Sequence, residues 1–327
     1  MLSIEITREC PLHCPGCYAY GDSHLGGETT LRQLSDFRGQ QLVEGVLDLV
    51  RKHRPLQVSL VGGEPLVRHK ELSQIIPALS EMGVYTMVVT SAVIPIPQAW
   101  MEIPRLLVAV SVDGLPEHHD VRREPATYER ILKNIAGHRI TIHCTITSQM
   151  LGRPTYLQEF LDFWTPRPEI AAVWFSLFTP QKDARDPEIL NPEQRVFVVR
   201  ELRYPKLLIN EGIAKALVRP PQSPQECLFS KMSVNYSADL QTRVEPCVFG
   251  GTPDCSHCGC AISSGLHWLK SIPVAGPLTI AHFVRGSIAI GSLVNRWQEQ
   301  APRPSRWHGD YQQAKQDSAL VQISGGD

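Results

Sequence analysis

The sequence predicts an α/β protein built on a parallel sheet. Three observations carry that prediction. Six short aliphatic and β-branched runs recur over the first 180 positions. Amphipathic segments with apolar residues at helical spacing separate them. The residues with chemical character stand where the strand-like runs end, as they do in sheets whose strands all point the same way. Strands alternating with helices imply right-handed crossovers between parallel neighbours.

Residues 2–7 read as strand one, followed by a loop to about Tyr20 and a polar, glycine-rich connection at 21–28. Over residues 31–52, Leu34, Phe37, Val43, Val46, Leu47 and Val50 recur at helical spacing, with Gly39 and Gly45 weakening the helix slightly. Strand two is 57–61. A second helix over 69–82 is stopped by Gly83. Strand three is 84–90, rich in β-branched residues. A short helix over 97–105 precedes strand four, 106–112. A helix over 126–137 leads to strand five, 140–147, where Ile142, Cys144 and Ile146 share one face and His143 and Thr145 share the other. A helix near 154–163 leads to strand six, 172–178. The stretch 219–224, Arg-Pro-Pro-Gln-Ser-Pro, reads as a linker. An alternating run over 232–244 reads as a β-hairpin. The moderately apolar 274–295 reads as packed helix or strand, and the polar last 25 residues as frayed.

Composition bounds the function. The 327 residues suffice for one large domain with an appendage. With 32 basic and 33 acidic residues there is no global attraction to nucleic acid or to an anionic membrane, and no nucleic-acid partner is expected. No run of eighteen apolar residues marks a membrane span, and no secretory signal is read ahead of strand one. Eight of the nine cysteines fall in two groups, at 10–17 and 227–260. In a chain expected to be cytoplasmic, that points to metal binding rather than to disulfides.

The first group is Cys10-Pro-Leu-His-Cys14-Pro-Gly-Cys17, at C-x3-C-x2-C spacing, followed by Tyr18. Three thiolates from one loop suit an iron–sulfur cluster with one iron left open, and also half a zinc site. The second motif is Gly62-Gly63-Glu64-Pro65 at the end of strand two. Together they resemble the radical S-adenosylmethionine (SAM) enzymes. The resemblance implies a (β/α)6 partial TIM barrel over 1–215 and a [4Fe-4S] cluster on Cys10, Cys14 and Cys17, with SAM on the fourth iron. It further implies Tyr18 near the adenine and Glu64, after Gly62 and Gly63, at the SAM amino group. Ser91, Ser111 and Asp113 would serve as ribose or carboxylate contacts, each equally readable as a helix cap. Arg122 would pair with the SAM carboxylate, although Arg123 stands where relatives have glycine. His143 and Thr145 are substrate-side candidates facing the lumen.

The second group, Cys227, Cys247, Cys255, Cys258 and Cys260, brackets the predicted hairpin and resembles the twitch module, a shortened SPASM domain, over 216–265. That resemblance implies a second [4Fe-4S] cluster, on Cys227, Cys247, Cys255 and Cys258 with Cys260 as the alternate; zinc is the competing ligand. The family's glycine in the hairpin turn is replaced by Ala238-Asp239. Residues 266–327 are expected to pack on the barrel. The resemblance implies reduction by a flavodoxin- or ferredoxin-type partner, formation of a 5′-deoxyadenosyl radical and hydrogen abstraction, with net oxidation if the second cluster takes an electron. With no recognition domain ahead of strand one, the sequence leans toward a small-molecule or lipid substrate. A maturase acting on a ribosomally made peptide is the alternative. An iron–sulfur or zinc protein without SAM chemistry is the reading from another class.

Overall fold

The computed structural model describes residues 1–27, 29–202, 211–270, 272–280, 282–283 and 286–287. The chain divides into two compact units, Met1–Ile272 and Pro273–Asp327.

The first unit follows the predicted alternation. Strands β1 (Leu2–Glu5), β2 (Gln57–Val61), β3 (Tyr85–Thr90), β4 (Leu106–Ser111), β5 (Ile140–Ile146) and β6 (Ile170–Leu177) pair in parallel, each beside the next. The helices are α1 (Gly39–His53), α2 (His69–Glu81), α3 (Pro116–Arg122), α4 (Tyr128–Ile135), α5 (Tyr156–Trp164), α6 (Pro192–Glu201), α7 (Glu211–Val218), α8 (Leu228–Met232) and α9 (Ala261–Leu269). One face of the sheet carries Ile4, Leu60, Val88, Val110, Ile142 and Val173, all fully buried in the core. The fold is an α/β partial barrel.

Three elements depart from the sequence expectation. The helix expected over 31–52 begins only at Gly39, whose φ of +55° lies outside the helical region; a single 3₁₀ turn, Leu31–Gln33, precedes it. Leu34 and Phe37 still pack inward from the intervening loop. Helix α3 was not anticipated; its Pro116 occupies the first helical turn, where proline costs nothing. The hairpin expected over 232–244 is not free-standing. Its first arm is β7 (Val234–Tyr236), which pairs in parallel with β1 and makes the sheet seven-stranded, in the order β6-β5-β4-β3-β2-β1-β7. The returning arm contributes one bridge, Tyr236 to Arg243.

The turn of that hairpin works without the family's glycine. The Asp239 carboxylate accepts from the backbone of Gln241 and Thr242. Leu240 takes the left-handed conformation, φ +56°, and lies over α1 at Gly45, where a Cβ would come within 2.5 Å of the leucine side chain. The backbone strain at Leu240 is offset by packing into that notch.

In the second unit, the described residues form a two-stranded antiparallel hairpin, Pro273–Ala275 with Leu278–Thr279. Most of 284–295, and the whole polar tail, lie outside the described residues.

Candidate functional site

The predicted residues collect at the carboxyl ends of the strands. β1 runs directly into the loop of Cys10, Cys14 and Cys17. The Gly62-Gly63-Glu64 segment after β2 grips the start of this loop. The Glu64 amide donates to the Glu9 carbonyl at 2.8 Å and the Ile6 amide to the Val61 carbonyl at 2.7 Å. Gly62 and Gly63 have φ of +80° and +53°. A Cβ on Gly62 would lie 2.3 Å from Glu5 Cβ, and one on Gly63 would lie 2.3 Å from the Glu9 carbonyl oxygen. Both positions therefore demand glycine for backbone-to-loop contact. On its other side the loop is anchored by Leu12, buried against Val93 and Ala126 with Cys10 and Cys14. Burial pushes the Cys10 thiol up to about 11 and raises Cys14 as well, with Arg123 opposing at Cys14. Neutral at physiological pH when bare, these thiols need a bound cation or cluster to ionise.

Glu64 is buried and its carboxylate is filled from within. Oε1 accepts from the Leu66 amide at 3.0 Å and from Thr90 Oγ1 at 2.5 Å; Oε2 accepts from the Ser91 amide at 2.8 Å and from Ser91 Oγ at 2.5 Å. It ties the ends of β2 and β3 together, and Ser91 is spent on it.

At the end of β4, Ser111 stands in register opposite His143, and Asp113, two residues on, is buried. The Asp113 carboxylate takes an ion pair from Arg123 Nε at 2.8 Å and from Arg122 Nε at 3.3 Å; Arg122 also pairs with Glu188. Burial works against ionisation of Asp113, but the two guanidiniums hold it down to about 2. Burial raises Glu188, with Arg122 opposing. This cluster sits against the cysteine loop: a Cβ on Gly16 would meet Glu188 at 3.6 Å and Arg122 at 3.8 Å. Arg123 and Glu188 were invisible as site residues in the sequence; an arginine in place of an expected glycine was the only hint.

His143 and Thr145 share the face opposite the core, as the alternation predicted. His143 Nε2 lies 3.0 Å from Ser176 Oγ, and its ring meets Trp174 edge-on at 5.4 Å. The Thr145 amide donates to Asp113 at 3.4 Å. Burial drops His143 to about 4, so it is neutral near pH 7.

The five C-terminal cysteines come together. All line one open-mouthed pocket with Thr179, Phe249 and Ser263. Burial raises Cys247 to about 12 and Cys255 to about 11, and raises Cys258 and Cys260, the neighbouring thiols adding to each shift. Cys227 Sγ lies 3.1 Å from Ser263 Oγ. Gly259, between Cys258 and Cys260, accepts from the Leu177 amide at 2.9 Å; a Cβ there would sit 2.0 Å from the Leu177 carbonyl oxygen. The segment is thus pressed onto the end of β6. Among the described residues no three His, Cys, Asp or Glu side chains converge on a point as ligands of one ion. A ring of thiols around a pocket fits a multinuclear cluster in donor chemistry.

Tyr18 lies between the two cysteine groups. Its ring packs on His24 at 5.6 Å and edge-on to Phe249 at 5.3 Å. His24 is itself buried, 2.7 Å from the Glu5 carboxylate and 2.9 Å from the Phe249 carbonyl; Ser237 Oγ donates to the same carboxylate. This network joins β1, the loop after Cys17 and the segment after Cys247. It was not foreseen, because Ser237 and Phe249 stand over 200 residues from Glu5, Tyr18 and His24.

Comparison with known proteins agrees with this arrangement. Residues 4–162 match the Radical SAM superfamily. The chain is 35% identical over 91 residues to a PqqA peptide cyclase of Rhodopseudomonas palustris, covering 28% of this chain and 22% of that one. It is 27% identical over 217 residues to the PqqA peptide cyclase of Bradyrhizobium diazoefficiens, covering 61% and 53%. The chain thus spans about half the length of the second relative, and less of the first. Among solved structures it resembles native anSMEcpe with bound AdoMet, with a TM-score of 0.55 and 14% identity over 76% of this chain and 74% of that one. It also resembles Streptococcus suis SuiB bound to S-adenosylmethionine, with a TM-score of 0.51 and 16% identity over 72% and 58%. Among the described residues no helix is long and apolar enough to cross a membrane.

Proposed function

This chain belongs to the radical SAM superfamily, and on that premise we propose that it is an enzyme that modifies a peptide, with a second iron–sulfur site in its C-terminal cysteines. The observation that carries the enzymatic reading is the cysteine loop clamped by Gly62-Gly63-Glu64 at the mouth of the sheet, inside the matched domain. When bound, a [4Fe-4S] cluster with SAM on its open iron supplies reductive SAM cleavage and the hydrogen-abstracting 5′-deoxyadenosyl radical.

The chain's own residues would do the rest. Cys10, Cys14 and Cys17 hold the first cluster. Glu64 fixes the strand ends so that the loop presents its thiols in one orientation. Arg122 and Arg123, neutralised in part by Asp113 and Glu188, keep positive charge beside Cys14, where a carboxylate-bearing ligand is favoured. Neutral His143, with Trp174, Ser176 and Thr145, forms the substrate-facing patch. The residues lining the pocket fit a second cluster on four of the five C-terminal cysteines, with Cys227, Cys247, Cys255 and Cys258 as the first choice and zinc as the competing metal. A domain boundary near 215 and a twitch-like region over 216–265 belong to the same reading, as do a flavodoxin- or ferredoxin-type reductant and a reducing cytoplasm. The named activity of the two peptide cyclases favours a peptide over the small molecule or lipid toward which the sequence alone leans.

Anaerobic reconstitution with iron and sulfide counts tests the cofactors. About eight irons are expected in the wild type and about four in the Cys10/Cys14/Cys17→Ala variant. One zinc beside about four irons in the wild type refutes the second cluster. A reduced wild-type protein that yields no methionine and 5′-deoxyadenosine from SAM refutes the enzymatic reading.

A further inference from the structure

Arg195 lies in the first turns of α6 and is 4% exposed. Its guanidinium donates to three backbone carbonyls. Nε reaches Leu217 at 3.0 Å, where one terminal nitrogen also donates; the terminal nitrogens further reach His257 at 3.2 Å and Cys258 at 2.6 Å. Among the described residues none of its hydrogen-bond partners is a carboxylate. Leu217 lies in the last turn of α7, so the helix dipole returns part of the cost of burying the charge. Neutral carbonyls return more, yet a buried cation facing only dipoles remains expensive. Its contacts at His257 and Cys258 set the guanidinium on the segment that carries Cys255, Cys258 and Cys260. By contrast, buried Arg68, beside the first cysteine loop, has Asp36 and Glu9, and half-buried Arg123 has Asp113.

An iron–sulfur core on four thiolates is anionic overall and becomes more so on reduction. We propose that Arg195 is the counter-charge of the C-terminal cysteine centre, positioning the Cys258 peptide and raising the reduction potential of the cluster bound there. The proposal rests on the reading that these cysteines hold an iron–sulfur cluster. Arg195 acts as a positioning residue: it touches the ligand-bearing backbone and gives no atom to the chemistry.

The test uses the full chain in the Cys10/Cys14/Cys17→Ala background, so that only the C-terminal site is loaded. Iron and sulfide are counted first. Absence of iron in this parent removes the premise and the proposal with it, before any Arg195 variant is made. With iron present, Arg195→Gln and Arg195→Lys are titrated reductively with dithionite and read by electron paramagnetic resonance. At a fixed potential the reduced-to-oxidised ratio is expected to fall about tenfold in R195Q, the effect of one charge removed at short range in a protein interior. R195K stays within about twofold of the parent. Iron lost from R195Q but kept by R195K also supports the counter-charge. Equal ratios in R195Q and the parent, an equal fall in both variants, or equal loss of iron from both overturns it.

Discussion

Replacing Glu64 by glutamine separates a residue that builds the site from one that only touches SAM. The carboxylate is 1% exposed and accepts four hydrogen bonds. Glutamine keeps the shape but has one acceptor oxygen. If that oxygen takes the place of Oε2, the amide nitrogen faces Leu66 N–H; if it takes the place of Oε1, it faces Ser91 N–H. The hydroxyls of Thr90 and Ser91 can turn to accept, but a backbone amide cannot. One buried N–H is therefore orphaned either way, at about 1–3 kcal/mol, and the remaining bonds lose their charge assistance. The expected loss is about 2–4 kcal/mol. Urea unfolding of protein free of both cluster and SAM reads it as a midpoint lowered by about 1 M, for a slope of about 3 kcal/mol per molar. An unchanged midpoint in that state, with SAM binding abolished in the loaded protein, would refute the structural role and make Glu64 a ligand only.

Gly63→Ala places a methyl against two carbonyl oxygens, at 2.3 and 2.7 Å, in a backbone at φ +53°; a loss of about 3 kcal/mol is expected, and reconstitution should recover about four irons where the wild type holds about eight. Unimpaired iron content would contradict the clamp. The pH dependence of stability should have two limbs. Burial opposes protonation of His24, but its bond to Glu5 and that carboxylate's charge raise it above the ordinary value, so its contribution is complete below about pH 6.5 and is lost as pH rises through the folded value. Burial, then Arg123, holds His119 near 4, so the unfolded chain takes up a proton that the folded one refuses, and about 3 kcal/mol is lost as pH falls from about 6.5 to 4. Unfolding across pH should show His24→Gln flattening the alkaline limb and His119→Gln the acid limb; limbs that persist in these variants count against the assignments. His143, held near 4 by burial, should contribute no ionisation to a rate profile between pH 6 and 8; a limb there that vanishes in His143→Gln would show that it titrates.

The six-strand alternation was legible because it is written locally: the run 57–61 matches β2 at both ends, and the lumen face of β5 followed from simple alternation. Both cysteine groups stand out by their spacing, and the five cysteines of the second line one pocket. What escaped was set by partners distant in the chain. The arm 234–236 looks like half of a hairpin, and nothing local says that its neighbour is β1. Gly45 reads as a defect in α1 until Leu240 is seen filling the notch. Glu64 reads as a ligand because three of the four bonds it accepts come from Thr90 and Ser91, at the end of another strand. Arg195 sits in an ordinary polar helix sequence, and two of the three carbonyls it serves are some sixty residues away. Helix α3 was missed for another reason: Pro-Glu-His-His-Asp-Val-Arg is too short and too polar to show a periodicity.

The place of β7 beside β1 has a consequence for how the protein is made. The strand that leads into the first cysteine loop has one neighbour that is synthesised about 230 residues after it, roughly 10–50 s later at ordinary elongation rates. Through that interval the inner edge of β1 offers unsatisfied amides and carbonyls to any passing strand. A nascent or truncated chain ending near residue 215 would carry all three cysteines of the first loop on a strand still open along one side. Closing that edge waits for β7, which is made between Cys227 and Cys247 of the second cysteine group.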